Sequence, residues 1–139
     1  MAIFQTQTTS FKKELYEGVH NFLVDTINMA LYTNSALLDA DTTVYTNVGE
    51  VVGIGYLAGG KTLTGITVAS YPNGTAYVNF ASAIWNPANF TCRGALIYNA
   101  SKGNKSIVVL DFGSEKTAIN SFTVKMPDTS PVNALIRSQ

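Results

Sequence analysis

Charge is what this sequence has least of. Asp, Glu, Lys and Arg make up 13% of its residues, about half of the roughly 25% usual for globular proteins. Nine basic and nine acidic residues cancel, so no net field draws in nucleic acid or an anionic membrane. Cysteine is nearly absent. Cys92 stands alone, which excludes an internal disulfide and a cysteine metal cluster. Between Phe90 and Leu96 this thiol reads as buried and inert, not as a nucleophile. His20 is the only histidine, and no neighbouring residue pattern recruits it as a general base; packing or capping is the expected role. No apolar run approaches the length of a membrane span, and MAIFQTQTTSFKK lacks the apolar centre of a signal peptide. The Asn-x-Ser/Thr triplets at Asn73, Asn89, Asn99 and Asn104 are therefore read as chance matches.

What remains is strand material. Hydrophobic residues make up 46% of the 139 residues, enough for one domain with its own core. The centre of the pattern is RGALIYNASKGNKSIVVLDF, Arg93 to Phe112. Two apolar runs, Ala95–Tyr98 and Ile107–Leu110, flank a turn at Gly103-Asn104, which predicts a deeply buried hairpin. Ile27, Met29 and Leu31 alternate with Asn28, Ala30 and Tyr32 as a half-buried strand. Further strands are expected at Thr43–Thr46, Lys61–Thr64, Ile66–Ser70, Thr75–Phe80, Ala83–Asn86, Phe122–Met126 and Val132–Ile136. Turns are expected at Pro72-Asn73-Gly74 and at Gly113-Ser114. One helix competes with them. Ser10 as N-cap and the stripe Phe11, Leu15, Val19 and Phe22 predict it over roughly 10–18. Residues 1–9 read as an arm, expected to serve attachment and to be dispensable for folding. The fold class expected is all-β: a single antiparallel β-sandwich over 10–139, jelly-roll-like first and immunoglobulin-like second, with a short N-terminal α-helix.

Three constellations imitate chemistry. Gly55-Tyr-Leu-Ala-Gly-Gly60-Lys61-Thr62 matches a P-loop letter for letter, and Ile107–Asp111 imitates the strand that carries a magnesium-binding carboxylate. A phosphate cradle needs a helix starting at the Lys-Thr pair. The residues that follow, LTGITVASYPNG, are β-branched and broken by Gly65 and Pro72, so a strand is expected. Asp39, Asp41 and Glu50 occupy ligand positions of a calcium-loop template, but Val44 stands where that template requires glycine. They are candidate ligands for a structural ion; an ordinary acidic loop is the simpler reading. Trp85 and the tyrosines suggest a sugar-binding platform only if they are exposed together; core packing is the default. No catalytic set and no cofactor motif emerges, and the chain is not expected to be an enzyme.

The runs FKKELYEGVHNF, INMALYTNSALLDADTTVYTNVGEVVGIGYLAGGKTLTG and RGALIYNASKGNKSIVVLDFGSEK together resemble a family of small virion structural proteins of tailed bacteriophages, over most of residues 11–136. His20-Asn21-Phe22 departs from the His-Asp-Phe of that pattern. The resemblance implies a virion component made in the host cytoplasm and carries no catalytic residues. Within that class, small size and scarce charge favour a capsid decoration (cement) protein on the capsid exterior. Its expected partners are the major capsid protein and further copies of itself, a trimer before a dimer, with no nucleic acid and no membrane. Ile3, Phe4, Phe11 and Leu15 are the candidate partner-binding residues. A neck, tail or fibre-attachment protein, or a host-glycan-binding module, are the alternatives.

Overall fold

The structure is a computed structural model and describes residues 2–72, 74–127 and 135–138. It is an all-β fold with one short helix. In chain order come β1 (Thr6–Gln7), α1 (Thr9–Tyr16), β2 (Ile27–Tyr32), β3 (Lys61–Thr62), β4 (Thr67–Ser70), β5 (Ala76–Asn79), β6 (Ala83–Asn99), a 3-10 turn (Ala100–Lys102), β7 (Lys105–Val124) and β8 (Ile136–Ser138). The larger sheet has the order β1-β7-β6-β2-β3 and the smaller one β4-β5-β8, with antiparallel pairing throughout.

The predicted central hairpin is the spine of the larger sheet. β6 and β7 pair from Ala83–Val124 to Asn99–Lys105, and β2 adds to β6 in the register Met29↔Ile97. The main core lies on one face of this sheet. Ile27, Met29, Leu31, Ile97, Val108 and Leu110 meet Phe11 and Phe22 from the α1 region, and Phe80 and Ile136 from the smaller sheet's side. At roughly 1.5–3 kcal/mol for each large side chain removed from water, this layer is the main source of stability. Alternation in β2 is nevertheless incomplete, because Ala30 and Tyr32 are buried as well. They face a second cluster with Leu96, Tyr98 and Val109, covered by Ile3, Ala36 and Leu38. The central strands are thus buried on both faces where they pair with β2, which accounts for their continuous apolar runs.

Several expectations are corrected. The helix starts earlier. Thr8, fully buried, is the N-cap, and its Oγ1 accepts from the N–H of Phe11 at 3.3 Å. Ser10 instead turns its hydroxyl toward Ser106 at 3.3 Å. The strand at Ala83–Asn86 does not end at Pro87. Proline cannot donate to the ladder, and the sheet absorbs it as a register shift between Trp85 and Ala88. Gly113-Ser114 does not end β7 either. The ladder steps from Gly94↔Asp111 to Cys92↔Lys116, so residues 112–115 swell out as a bulge within the strand. Thr43–Thr46 supplies only an isolated bridge, Val44↔Lys105. The closing strand covers Ile136–Ser138, and residues 132–134 of its predicted range lie outside the described residues, as does Asn73 of the predicted turn.

The arm is the largest correction. β1 is an edge strand hydrogen-bonded to β7, with Thr6 opposite Val109. Ile3 bridges Leu38, Phe4 N–H donates to Leu38 O at 2.9 Å, and Ile3 is buried. Its side chain fits over Gly94, where a Cβ would stand 3.0 Å from two of its carbons. Residues 2–8 thus belong to the folded unit.

Candidate functional site

The P-loop-like segment holds no phosphate cradle. Lys61 and Thr62 form β3, paired with Met29 and Asn28, and the next regular element is strand β4. Its glycines answer to the sheet. A Cβ on Gly60 (φ +83°) would lie 1.8 Å from Met29 O, and one on Gly55 (φ +89°) 1.9 Å from Pro87 O. Both positions therefore need a residue without a side chain and with positive φ. Lys61 Nζ stands 5.8 Å from the centre of the Trp85 ring. Asp111, the apparent magnesium ligand, pairs with Arg93 Nε at 2.9 Å and accepts from Gly113 N–H. That hydrogen bond from Arg93, with help from Gly113 N–H, holds its carboxyl below the usual carboxylate range.

Asp39, Asp41 and Glu50 are not brought together. Among the described residues no group of three His, Cys, Asp or Glu side chains is placed to hold a metal ion. Asp39 Oδ1 accepts from Asp41 N–H at 2.9 Å, a local Asx turn. Glu50 goes elsewhere, and its role is the one most completely missed by sequence reasoning. Its carboxylate is buried and accepts from Tyr45 Oη at 2.6 Å, from Gly59 N–H at 2.8 Å, and from Tyr56 Oη in a very short hydrogen bond. Tyr56 Oη also accepts from Leu31 N–H at 3.0 Å, and Tyr98 Oη donates to Gly59 O at 2.5 Å. Tyr45 and Tyr98 stack with ring centres 4.9 Å apart. A single carboxylate thus ties residues 45, 56 and 59 of one loop together through three donors, and the loop reaches the β2–β6 sheet through Tyr56 Oη on Leu31 and Gly59 O on Tyr98. The available signal was Glu50 as the sole ionisable carboxylate in an otherwise uncharged run from Val44 to Gly60 that contains two tyrosines.

Burial first, and then the hydrogen bond to Glu50, pushes the Tyr45 and Tyr56 phenols far above their ordinary value of 10.0; burial and the Glu50 charge do the same for Tyr32. A phenol that resists ionisation in the folded state gives stability that is present below about pH 10 and lost as pH rises, because only the unfolded chain then releases these protons. Spectrophotometric titration of the native protein should therefore leave these three tyrosines un-ionised above pH 10, until alkaline unfolding releases them together. Smooth ionisation of all seven tyrosines in the native state would contradict this arrangement.

His20 sits in a second polar cluster. Its fully buried ring lies 2.8 Å from Glu14 Oε1 through Nε2, and Nδ1 accepts from Asn99 Nδ2 at 3.0 Å. The orientation of Asn99 follows from its other bonds: Oδ1 accepts from Ser101 N–H and Nδ2 donates to Asp25 Oδ2. Lys102 Nζ reaches Asp25 Oδ1 at 3.2 Å. Burial alone would raise the Asp25 carboxyl, but the hydrogen bonds from Asn99, Asn21 N–H and Lys102 outweigh it and hold it below its ordinary range. The cluster staples the segment after α1 to the turn of the β6–β7 hairpin. It matches the expected packing role of His20, and no nucleophile takes part in these bonds.

Trp85 is buried, 6.4 Å from Tyr56 and 6.3 Å from Phe122 between ring centres. It is a core residue and cannot serve as a sugar platform without leaving the core. Cys92 is fully buried, and that burial pushes its thiol up to about 12. Native protein should leave a thiol reagent unreacted at pH 8 and consume one equivalent only on unfolding; rapid native-state labelling would show that the thiol is open to solvent.

The candidate partner-binding residues divide. Ile3 and Phe11 are buried in the chain's own core, whereas Phe4 and Leu15 are 59% and 40% exposed. Sequence periodicity marked the apolar stripe but could not tell which members the chain itself would cover. Other large apolar side chains are more open: Tyr16 (93%), Leu23 (76%) and Val24 (75%) on and after α1, and Val52 (95%), Ile54 (66%), Leu57 (80%) and Ile119 (73%).

Comparison with protein-family models, with curated proteins and with solved structures returns no match.

Proposed function

We propose that this chain is a structural protein of a tailed-bacteriophage virion, and within that class a decoration protein that bridges and stabilises capsomers by non-covalent contacts. The observation that carries a contact-based role is the exposure of large apolar side chains, including Leu15, Tyr16, Leu23 and Val24, on a protein with few charges. Groups of exposed apolar residues mark association surfaces. The virion assignment itself rests on the sequence resemblance over most of residues 11–136. Phe4 and Leu15 are the members of the candidate partner-binding set left available to the major capsid protein. The polar clusters around Glu50 and His20 spend their hydrogen bonds internally, which suits a rigid clamp better than an active site.

The test is copy number. Quantitative mass spectrometry of purified particles should find on the order of hundreds of copies, as repetition over a symmetric shell requires. About a dozen or fewer would replace this reading with a neck, tail or fibre-attachment role. Absence from the particle would end the virion reading altogether. The burial of Trp85 removes the main support for the glycan-binding alternative.

A further inference from the structure

In the cluster around His20 every hydrogen bond has a fixed direction. Asn99, fully buried at the end of β6, spends one amide proton on Asp25 Oδ2 at 2.8 Å and the other on His20 Nδ1 at 3.0 Å. Its Oδ1 accepts from Ser101 N–H at 3.0 Å. Turning the amide over would set Oδ1 against the Asp25 carboxylate and Nδ2 against the Ser101 N–H. Groups other than the histidine therefore settle its orientation. His20 Nδ1 is thus an acceptor, and the ring carries its proton on Nε2, 2.8 Å from Glu14 Oε1. No part of the imidazole is open to solvent, and the Phe11 ring flanks it at 5.1 Å between centres.

We infer that this joint is an acid-sensitive switch: protonation of His20 at Nδ1 breaks its bond with Asn99 and loosens residues 18–26 from the turn of the β6–β7 hairpin. A proton on Nδ1 would set two donors face to face, and water does not reach the ring to relieve them. Among the described residues no acceptor stands ready. Asp25 Oδ2 already takes Asn21 N–H at 2.9 Å as well as Asn99, and Oδ1 takes Lys102 Nζ at 3.2 Å. The Nε2 bond to Glu14 exists in either form, so it does not repair the Nδ1 side.

The charged groups that face the joint are Glu14 from α1, Asp25 from the segment that follows it, and Lys102 from the hairpin turn. Lys13 and Glu17 pair with each other on the exposed side of α1. Two carboxylates against one ammonium draw a proton toward the cluster, while its donor pattern leaves that proton no acceptor. Histidine is the side chain whose charge ordinarily changes between pH 5 and 8. Asp25 acts lower. Its carboxyl is held below the ordinary range, so the stability it contributes is lost only as pH falls through that depressed value. The segment concerned is tied to the turn further by Thr26 N–H to Ser101 Oγ and Ala100 N–H to Thr26 O. It presents Leu23 and Val24 to solvent, so acid would alter how these apolar side chains are displayed.

The inference is independent of the virion assignment, which particle copy number tests separately. The experiment is hydrogen exchange on the full chain at pH 7.5 and pH 5, with rates corrected for the intrinsic pH dependence of amide exchange. Amides of residues 21–26 and 99–104 should lose protection by about tenfold or more at pH 5, as loss of a buried hydrogen bond implies. Those of β2 should not change. His20→Asn offers an acceptor oxygen near the place of Nδ1 but takes up no proton, so its protection should be the same at both pH values. Circular dichroism at pH 7.5 verifies that this variant is folded. Nitrogen NMR of the wild-type imidazole needs no variant, and should find Nδ1 bare at pH 7.5 and its protonation accompanied by a shift of the Asn99 side-chain amide. Unchanged wild-type protection at pH 5 overturns the inference. So does a loss spread equally over β2, a pH response that His20→Asn retains, or an Nδ1 already protonated at pH 7.5.

Discussion

Removing residues 2–8 should destabilise the protein by on the order of 5 kcal/mol, a large part of the 5–15 kcal/mol that holds a typical domain together. The truncation takes away Ile3, whose buried side chain seals the second core cluster over Leu38 and Gly94. Loss of a buried isoleucine of this kind costs about 2–5 kcal/mol. It also removes β1, exposing the edge of β7 at Val108 and Val109. Thr8 goes with it, and with Thr8 both the cap of α1 and the acceptor for the Ser106 hydroxyl at 2.9 Å. An N-cap contributes about 1 kcal/mol. Urea denaturation followed by circular dichroism checks the prediction, and Ile3→Ala alone should account for roughly half of the loss. A truncated protein with an unchanged midpoint would restore the arm to the independent role that its polar composition suggests.

Glu50→Ala should cost about 4 kcal/mol, in the range found when one side of a buried charged hydrogen-bond network is removed. Alanine leaves the buried Tyr56 hydroxyl and the half-buried Tyr45 hydroxyl and Gly59 N–H without their acceptor, and an unsatisfied donor costs about 1–3 kcal/mol where it is fully buried and less where water can reach it. Tyr56 then loses the acceptor that fixes its hydroxyl, so the bond it accepts from Leu31 N–H should weaken as well. Glu50→Gln keeps one acceptor oxygen and should lose about half as much. Thermal unfolding measures both, and tyrosine titration gives an independent readout: without the carboxylate, Tyr45 and Tyr56 should ionise at lower pH than in the wild type. Full stability of Glu50→Ala would mean that the loop is held by its apolar contacts alone.

These two cases show where sequence reasoning reached and where it stopped. The hairpin was legible because Ala95–Tyr98 and Ile107–Leu110 are apolar runs of strand length on either side of Gly103-Asn104, and local signals of that kind survive folding. The helix was legible to within two residues for the same reason, although its cap was not. Ser10 and Thr8 offer similar hydroxyls, and the choice was made by Ser106 and Thr42, which lie far away in the chain. Pro87 and Gly113 were read as strand ends because each disturbs a ladder locally. A partner strand paired along more than fifteen residues carries the sheet past both disturbances.

The candidate sites were harder still. Asp39, Asp41 and Glu50 share a spacing, but spacing is a one-dimensional property, and the tyrosines that claim Glu50 are fixed by the β2–β6 pairing. The P-loop-like letters could be rejected from sequence, because a phosphate cradle requires a helix and the β-branched residues after Thr62 oppose one.

The sequence by itself determined the class of fold, the position of the central hairpin, the short helix and the inertness of Cys92, since each follows from local periodicity or from a residue's rarity. Only the tertiary structure decided that the N-terminal segment belongs to the sheet, that Glu50 ties residues 45, 56 and 59 together, and that Trp85 is core. Those outcomes depend on which distant backbone reaches a side chain before water does, and periodicity along the chain carries no record of that competition.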